Sequence, residues 1–260
     1  MDFGLYVLAG AVVGFAVGLT GVGGGSLMTP LLLLFGFPPQ VAVGTDLLYA
    51  SITKSTGIYM HAKRTTIRWR IVALMAAGSL PAALATTWLL ASVFRHAEEY
   101  ASILTTSLGI MLVITSVVLM FRGRIQQKSH ENSSPVLISL QQHKAVWTIV
   151  MGVILGVLVT LSSVGAGAIG TAVLLILYPR LPSVHIVGTD LAHAVPLTLV
   201  AGIGHLFLGH VNWELLAALL VGSVPAIYVG THAGAKMPDK ILQPILVTVL
   251  MALGLKYAIF

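Results

Sequence analysis

The sequence predicts an all-α polytopic membrane protein made of two repeats with inverted topology. Of its 260 residues, 57% are hydrophobic and 8% are charged, whereas about a quarter of the residues are charged in soluble globular proteins. The second half of the chain repeats the first. Matched loops of the two halves differ in their content of Lys and Arg, and this difference predicts that they face opposite sides of a membrane.

The duplication is visible without gaps. Residues 21–82 align with residues 165–226 at a constant offset of 144, and 18 of these 62 positions are identical. The string VGTDL occurs at Val43–Leu47 and returns at Val187–Leu191. The other matched features are His61 with His205, Trp69 with Trp213, and the pattern GSxPA at Gly78–Ala82 with Gly222–Ala226. Duplicated bundles with a substrate site between the copies are typical of membrane transporters.

Eight apolar segments are long enough to be membrane spans, and charged or Gly/Pro-rich stretches separate them. They are Leu5–Leu19, Val41–Tyr59, Ile71–Leu90, Ile103–Phe121, Val146–Leu161, Ile186–Leu208, Leu215–Val229 and Leu242–Ile259. Two further segments, Leu27–Phe37 and Thr171–Leu181, are about half the length that a span needs. Each follows a glycine-rich break at the same place in its repeat, and the sequence leaves open whether they cross fully or re-enter.

Charge placement predicts the orientation of the halves. The loop Met60–Arg70 carries four Lys or Arg residues, and its partner Gly204–Glu214 carries none. The positive-inside rule therefore places the first loop in the cytoplasm and the second outside. The polar stretch 122–144 joins the halves and is also basic, so we expect a cytoplasmic linker at 122–144 between a first repeat at 1–121 and an inverted second repeat at 145–260. Both termini are then expected outside.

The glycine-rich breaks are the strongest indication of a binding site. Irregular backbone within a membrane is tolerated only where protein or a water-filled cavity covers it, and a helix that starts there points free N–H groups at one spot, which suits an anion. Close packing of small residues is the alternative explanation, and we favour the binding site. The predicted substrate-binding residues of the breaks are Thr20, Gly21, Gly23, Gly24, Gly25 and Ser26 in the first half, and Ser163, Gly165, Gly167 and Gly170 in the second.

Charged and polar residues within the predicted spans complete the candidate site. Asp46 and Asp190 occupy identical VGTDL strings, and an intramembrane carboxylate indicates function by default. Proton coupling and a structural role as acceptor of backbone N–H groups are equally weighted alternatives; Thr45, Thr189 and His193 belong to the same site-shaping group. Lys54 is the predicted counter-charge of the anion, with snorkelling to the cytoplasmic interface as its alternative.

Several function classes receive no support. The chain has no cysteine, which excludes disulfides and thiolate chemistry. It contains no zinc, phosphate-binding or nucleophile motif, so we expect no cofactor, no metal, no nucleic acid partner and no enzyme activity. The expected partners are a small anionic substrate and the lipid bilayer, and a homo-oligomer is left open.

The run Gly14–Gly57, with its strings GGGSLMTP and AVGTDLLYA, together with the HxxxxTIRWR stretch at His61–Arg70, resembles the TauE/SafE-type sulfite exporter family of bacterial membrane proteins. The resemblance covers essentially the whole chain. It implies a secondary transporter that exports a small sulfur-containing anion, such as sulfite or an organosulfonate, across the cytoplasmic membrane. An anion channel without alternating access and an intramembrane enzyme are the alternatives. Gly24 and Gly25 are matched by Ala168 and Ile169, so the first break is expected to contribute more to binding.

Overall fold

The computed structural model describes residues 3–20, 25–63, 65–94, 97–131, 135–234 and 239–259. Within these ranges the chain is helical and contains no strand. The helices are α1 (Phe3–Thr20), α2 (Gly25–Leu34), α3 (Pro39–Lys63), α4 (Trp69–Val93), α5 (Ala101–Glu131), α6 (Pro135–Gln142), α7 (Lys144–Ser162), α8 (Ala168–Leu177), α9 (Ser183–Phe207), α10 (Trp213–Gly234) and α11 (Asp239–Ile259), with a 3-10 helix at Ala97–Tyr100 before α5.

The apolar segments form helices, as predicted. Five helices in the described part of the chain are long and apolar enough to cross a membrane, namely Trp69–Val93, Ala101–Arg124, Lys144–Ser162, Ser183–Phe207 and Trp213–Ala233. The predicted short segments became the ten-residue helices α2 and α8. A helix rises about 1.5 Å per residue, so each of them covers about half of a hydrocarbon core. The polytopic helical fold is confirmed.

The duplication is preserved in the bounds of the helices. Helix α9 begins and ends 144 residues after α3, and α10 begins 144 residues after α4. The packing follows the same relation, because α1 packs on α10 and its counterpart α7 packs on α4. In each of these two pairs, one helix comes from the first half and the other comes from the second half. The halves therefore interlock instead of lying side by side.

Matched helices of the two halves run in opposite directions where they meet. In the α3–α9 pair, Gly44 lies against His205 whereas Gly202 lies against Leu48. In the α5–α11 pair, Gly109 lies against Ala258. An inverted repeat requires this antiparallel register of counterparts, and the orientation of each half in a membrane stays a prediction.

The stretch expected to link the halves is largely helical. Helix α5 continues past the predicted apolar segment to Glu131, and α6 follows at Pro135–Gln142. Arg, Gln and Lys favour helix, so the polar run after Phe121 extends the helix beyond its apolar part. The Gln141 side-chain amide donates to the Ile176 carbonyl at 3.3 Å, which ties α6 to the end of α8.

Helices α3 and α9 cross at the centre of the molecule, between two apolar clusters. Val43 and Leu47 of α3 belong to the first cluster, together with Leu197 of α9. Leu48 and Tyr49 of α3 belong to the second, which also includes the short helix α2 through Met28. The polar residues of the VGTDL strings are thus enclosed by apolar side chains.

Candidate substrate site between the two halves

The two carboxylates of the VGTDL strings are buried and have the same kind of partner. Asp46 of α3 is fully buried, and its Oδ2 accepts a hydrogen bond from the Thr29 hydroxyl of α2 at 2.5 Å. Asp190 of α9 is 2% exposed, and its Oδ2 accepts from the Thr171 hydroxyl of α8 at 2.9 Å. Each short helix therefore supplies one hydroxyl to the carboxylate of its own half. Among the described residues, the second oxygen of each carboxylate has no partner at normal hydrogen-bond geometry, although the Ser163 hydroxyl lies near Asp46 and the Gly167 backbone N–H near Asp190.

Lys54 is buried in the same region. It is 5% exposed, and its ammonium group makes no hydrogen bond with any residue in the described part of the chain. Both Asp46 and Asp190 attract this ammonium electrostatically, and its charge also acts on His193. A snorkelling lysine places its ammonium in water or among lipid head groups, so the burial of Nζ does not fit that alternative.

Two neutral polar groups with unused hydrogen-bonding capacity belong to the same interior. His193 of α9 shares a hydrogen bond of 2.8 Å between its Nε2 and the Ser79 hydroxyl of α4, and its Nδ1 has no partner. The Ser163 hydroxyl at the end of α7 is buried near the Asp46 carboxylate and has no partner at normal hydrogen-bond geometry among the described residues. Buried polar groups in folded proteins are nearly always paired, so unpaired ones around a buried ammonium indicate a polar ligand.

The predicted break of the second half is present between α7 and α8, and Ser163 lies where α7 ends. Ser163 has a left-handed backbone (φ 59°) and caps α7. Gly165 and Gly167 have φ values of 116° and 125°, which only glycine adopts without strain. Gly170 lies in the first turn of α8 with its Cα against Asp190, so that a side chain there would collide with the carboxylate. The glycines thus let α8 approach Asp190.

The break of the first half lies mostly outside the described residues. This applies to Gly21, Gly23 and Gly24, whose predicted role in binding stays a prediction. Thr20 is the last residue of α1, and Gly25 and Ser26 open α2.

Thr45 and Thr189 hold the loops that precede α10 and α4. The Thr45 hydroxyl accepts a hydrogen bond from the backbone N–H of Asn212 at 3.1 Å. The Thr189 hydroxyl accepts one from the backbone N–H of Arg68 at 3.0 Å. Donors and acceptors are both matched at the offset of 144. Each VGTDL string therefore fixes the loop of the other half, a role that the sequence alone did not reveal.

Sequence reasoning missed several residues of this interior. Ser79 belongs to the repeated GSxPA pattern, which was visible but received no role. Its counterpart Ser223 and the counterpart of His193, Tyr49, are both buried, and their hydroxyls lie close enough to interact with each other. Thr29 and Thr171 do not align with each other, so the repeat gave no signal for them. No group of three or more metal-ligating side chains occurs among the residues that the structure describes.

Comparison with known proteins gives a consistent result. The family described as "Sulfite exporter TauE/SafE" matches residues 6–257. The chain is 37% identical over 253 residues to the probable membrane transporter protein YjnA of Bacillus subtilis (strain 168), covering 96% of this chain and 97% of that protein. It is 29% identical to the probable membrane transporter protein MJ0441 of Methanocaldococcus jannaschii, covering 96% and 93%. No solved structure matches the chain.

Proposed function

Since the chain belongs to the TauE/SafE sulfite exporter family and is a membrane transporter, we propose that it exports a small sulfur-containing anion, sulfite or an organosulfonate, through the interior between α3 and α9. The observation that carries this proposal is the buried Lys54 ammonium, which has no hydrogen-bond partner among the described residues. A buried ammonium without acceptors is costly, and a bound oxyanion would supply the missing acceptors.

The groups around Lys54 suit a tetrahedral oxyanion. The Ser163 hydroxyl can donate one hydrogen bond, and so can Nδ1 of His193 when it carries the imidazole proton. Together with the ammonium they offer donors from three different helices or helix ends. A sulfite or sulfonate group presents three oxygens as acceptors, one for each donor. Ser163, Lys54 and His193 are therefore the proposed first contacts of the anion.

The two carboxylates determine what must accompany the anion. With Asp46, Asp190 and Lys54 all ionised, this interior carries a net charge of −1. A bound monoanion would make the net charge −2. Like charges in a medium of low dielectric repel strongly. We therefore propose that Asp46 and Asp190 bind protons when the anion enters, using the oxygen that the threonines leave unpaired. Anion affinity should then rise as the pH falls.

Alternating access follows from the matched loops. Opening toward one side would release Asn212 from Thr45, and opening toward the other side would release Arg68 from Thr189. Each loop is held by one hydrogen bond of this matched pair, so the two openings have one mechanical step in common. This supports a carrier in which the halves rock around a fixed central site.

Binding to purified protein in detergent tests the role of Lys54. Methanesulfonate is a suitable probe, since its charge is constant across neutral pH, with sulfite and thiosulfate in the same panel. Lys54→Ala should weaken anion binding at least tenfold, whereas Lys54→Arg should retain most of it, because the charge is kept. Thr198→Ala, at the matched position of the second half, is the control and should leave affinity unchanged.

Measuring the wild type at pH 6 and pH 8 in the same titration tests the accompanying protons, with tighter binding expected at pH 6. Equal affinity of Lys54→Ala and wild type for every anion would refute the site. In proteoliposomes, a carrier gives saturable uptake that is stimulated by internal unlabelled anion. Unsaturable flux without such counterflow would show a channel instead.

A further inference from the structure

A chain of hydrogen bonds lies at one end of the molecule, apart from the Lys54 interior. The Tyr100 hydroxyl is 2.7 Å from Nε2 of His210, Nδ1 of His210 is 3.1 Å from Nδ1 of His205, and Nε2 of His205 is 3.0 Å from the Thr160 carbonyl oxygen. All three titratable side chains are buried. The chain connects the 3-10 helix, the α9–α10 loop (208–212), the end of α9, and α7.

The bonding partners fix the direction of every hydrogen bond. The Thr160 carbonyl can only accept, so Nε2 of His205 donates to it. A neutral imidazole has a single N–H, and Nδ1 of His205 therefore accepts from Nδ1–H of His210. This leaves Nε2 of His210 as acceptor for the Tyr100 hydroxyl. With both imidazoles neutral and in these tautomers, all four groups are satisfied and the Tyr100 hydrogen has its acceptor in the chain.

An added proton disrupts this arrangement. On Nδ1 of His205 it would face the N–H of His210 across 3.1 Å, and on Nε2 of His210 it would face the Tyr100 hydroxyl, which would have to turn. Burial already lowers the pKa of His210 to about 4, from an ordinary value near 6.5. Protonation is therefore much easier once the loop has left its closed position.

The chain holds the loop that covers one end of the central site. His210 packs against α3 at Gly44, and two residues later Asn212 donates to Thr45. The backbone N–H of His210 also bonds to the His205 carbonyl at 3.0 Å. The loop before α4 lacks the matching titratable residues, because the positions matched to His210 and Tyr100 are Thr66 and Pro244.

We propose that the Tyr100–His210–His205 chain is a proton-operated latch, which keeps the α9–α10 loop closed while both imidazoles are neutral and releases it when the adjoining solution is acidified. The loop closed by the latch is the one that Thr45 holds. The latch thus makes one of the two openings depend on pH and leaves the other independent of it. This holds whichever anion is carried.

The elements that carry or contact the latch hold a limited set of other charged and histidine side chains. Those described are Glu99 in the 3-10 helix, Asp46 and Lys54 on α3, Lys144 on α7, His185, Asp190 and His193 on α9, and Glu214 and His232 on α10. Glu99 and Glu214 are exposed. The charge that bears on His205 is that of His210; since two like charges at this distance repel each other, the pair takes up one proton.

The sign of the response follows from the lowered pKa of His210. The closed state binds the proton less well than the open state, so closure is favoured above pH 6.5 and that preference is lost as the pH falls from 6.5 toward 4. For uptake of one proton, the equilibrium between open and closed loop shifts about tenfold per pH unit in this range.

Cysteine accessibility in the full-length protein, reconstituted in nanodiscs, measures the opening. The chain is free of cysteine, so Ala42→Cys introduces a single thiol at a fully buried position in the cluster on which Val211 of the loop packs. Ser92→Cys, at an exposed position, corrects for the effect of pH on the maleimide reaction. The corrected rate at position 42 should rise about tenfold per unit from pH 6.5 to 4.5.

A second pair of variants replaces a histidine of the latch and, as a control, an exposed histidine outside it. In the Ala42→Cys protein, His210→Gln should abolish the pH dependence of the labelling rate. His232 is exposed and bonds to a carbonyl of its own helix, so His232→Gln should retain the pH dependence. If His210→Gln does not fold, Tyr100→Phe removes the phenol donor and should move the response to higher pH. A flat profile in the parent, or equal slopes in the His210 and His232 variants, would overturn the latch.

Discussion

Gly170 allows a sharp test of how the second short helix is seated. A Cβ added there would collide with Oδ1 of Asp190, and the Cγ of the same carboxylate would lie 3.0 Å away. Forcing one carbon into a packed interior costs about 1–3 kcal/mol. Against this, Ala in place of Gly inside a helix stabilises by about 1 kcal/mol. We expect Gly170→Ala to be neutral to about 2 kcal/mol less stable.

The collision is isolated by a control and a double-mutant cycle. Gly123 in α5 has open space around its Cα, so Gly123→Ala should show only the helix gain and exceed Gly170→Ala in stability by about 1–3 kcal/mol. Free energies of unfolding in detergent micelles give these differences. In an Asp190→Ala background the carboxylate is absent, and the cost of Gly170→Ala should disappear. An identical cost in both backgrounds would refute the proposed seating of α8 on Asp190.

The remaining predictions concern the loops. Thr45→Val and Thr189→Val each remove one cross-half acceptor, worth about 1 kcal/mol. They should shift the equilibrium between the two opened conformations about fivefold, in opposite directions. Thr198→Val, which loses only bonds within α9, should leave this equilibrium unchanged. Spectroscopic distances measured across each loop would detect these shifts, and shifts in the same direction for both threonine variants would contradict the prediction. Single cysteines in loops 60–70 and 204–214 should be labelled from the cytoplasm and from outside respectively, and labelling from one common side would overturn the inverted topology.

The sequence was sufficient for the fold because its signals are local or repeated. Apolar runs and glycine-rich breaks act within a few residues, and the structure has helices at all the predicted spans, with α8 starting just after the second break. The repeat identified Asp46 and Asp190 for the same reason. Length also predicted that α2 and α8 would be short, since neither apolar run exceeds eleven residues.

Contacts between side chains of different helices could not be predicted from local or repeated sequence patterns. Thr29 and Thr171 serve equivalent carboxylates from positions that do not align, because the hydroxyl that reaches each carboxylate depends on how each short helix is rotated against its neighbour. The partners in the His205–His210–Tyr100 chain are separated by up to 110 residues. Such pairings depend on the packed structure and leave no periodic signal in the chain.

The two halves match in their mechanical parts and differ in their binding parts. The carboxylates and the loop-holding threonines occur once in each half, whereas Lys54, His193 and Ser163 are matched by Thr198, Tyr49 and Leu19. In the carrier that we propose, the matched threonines take equivalent parts in the two openings, and a single ammonium provides one counter-charge. We infer one central anion site that both openings share, with the latch as the feature that makes the two sides unequal.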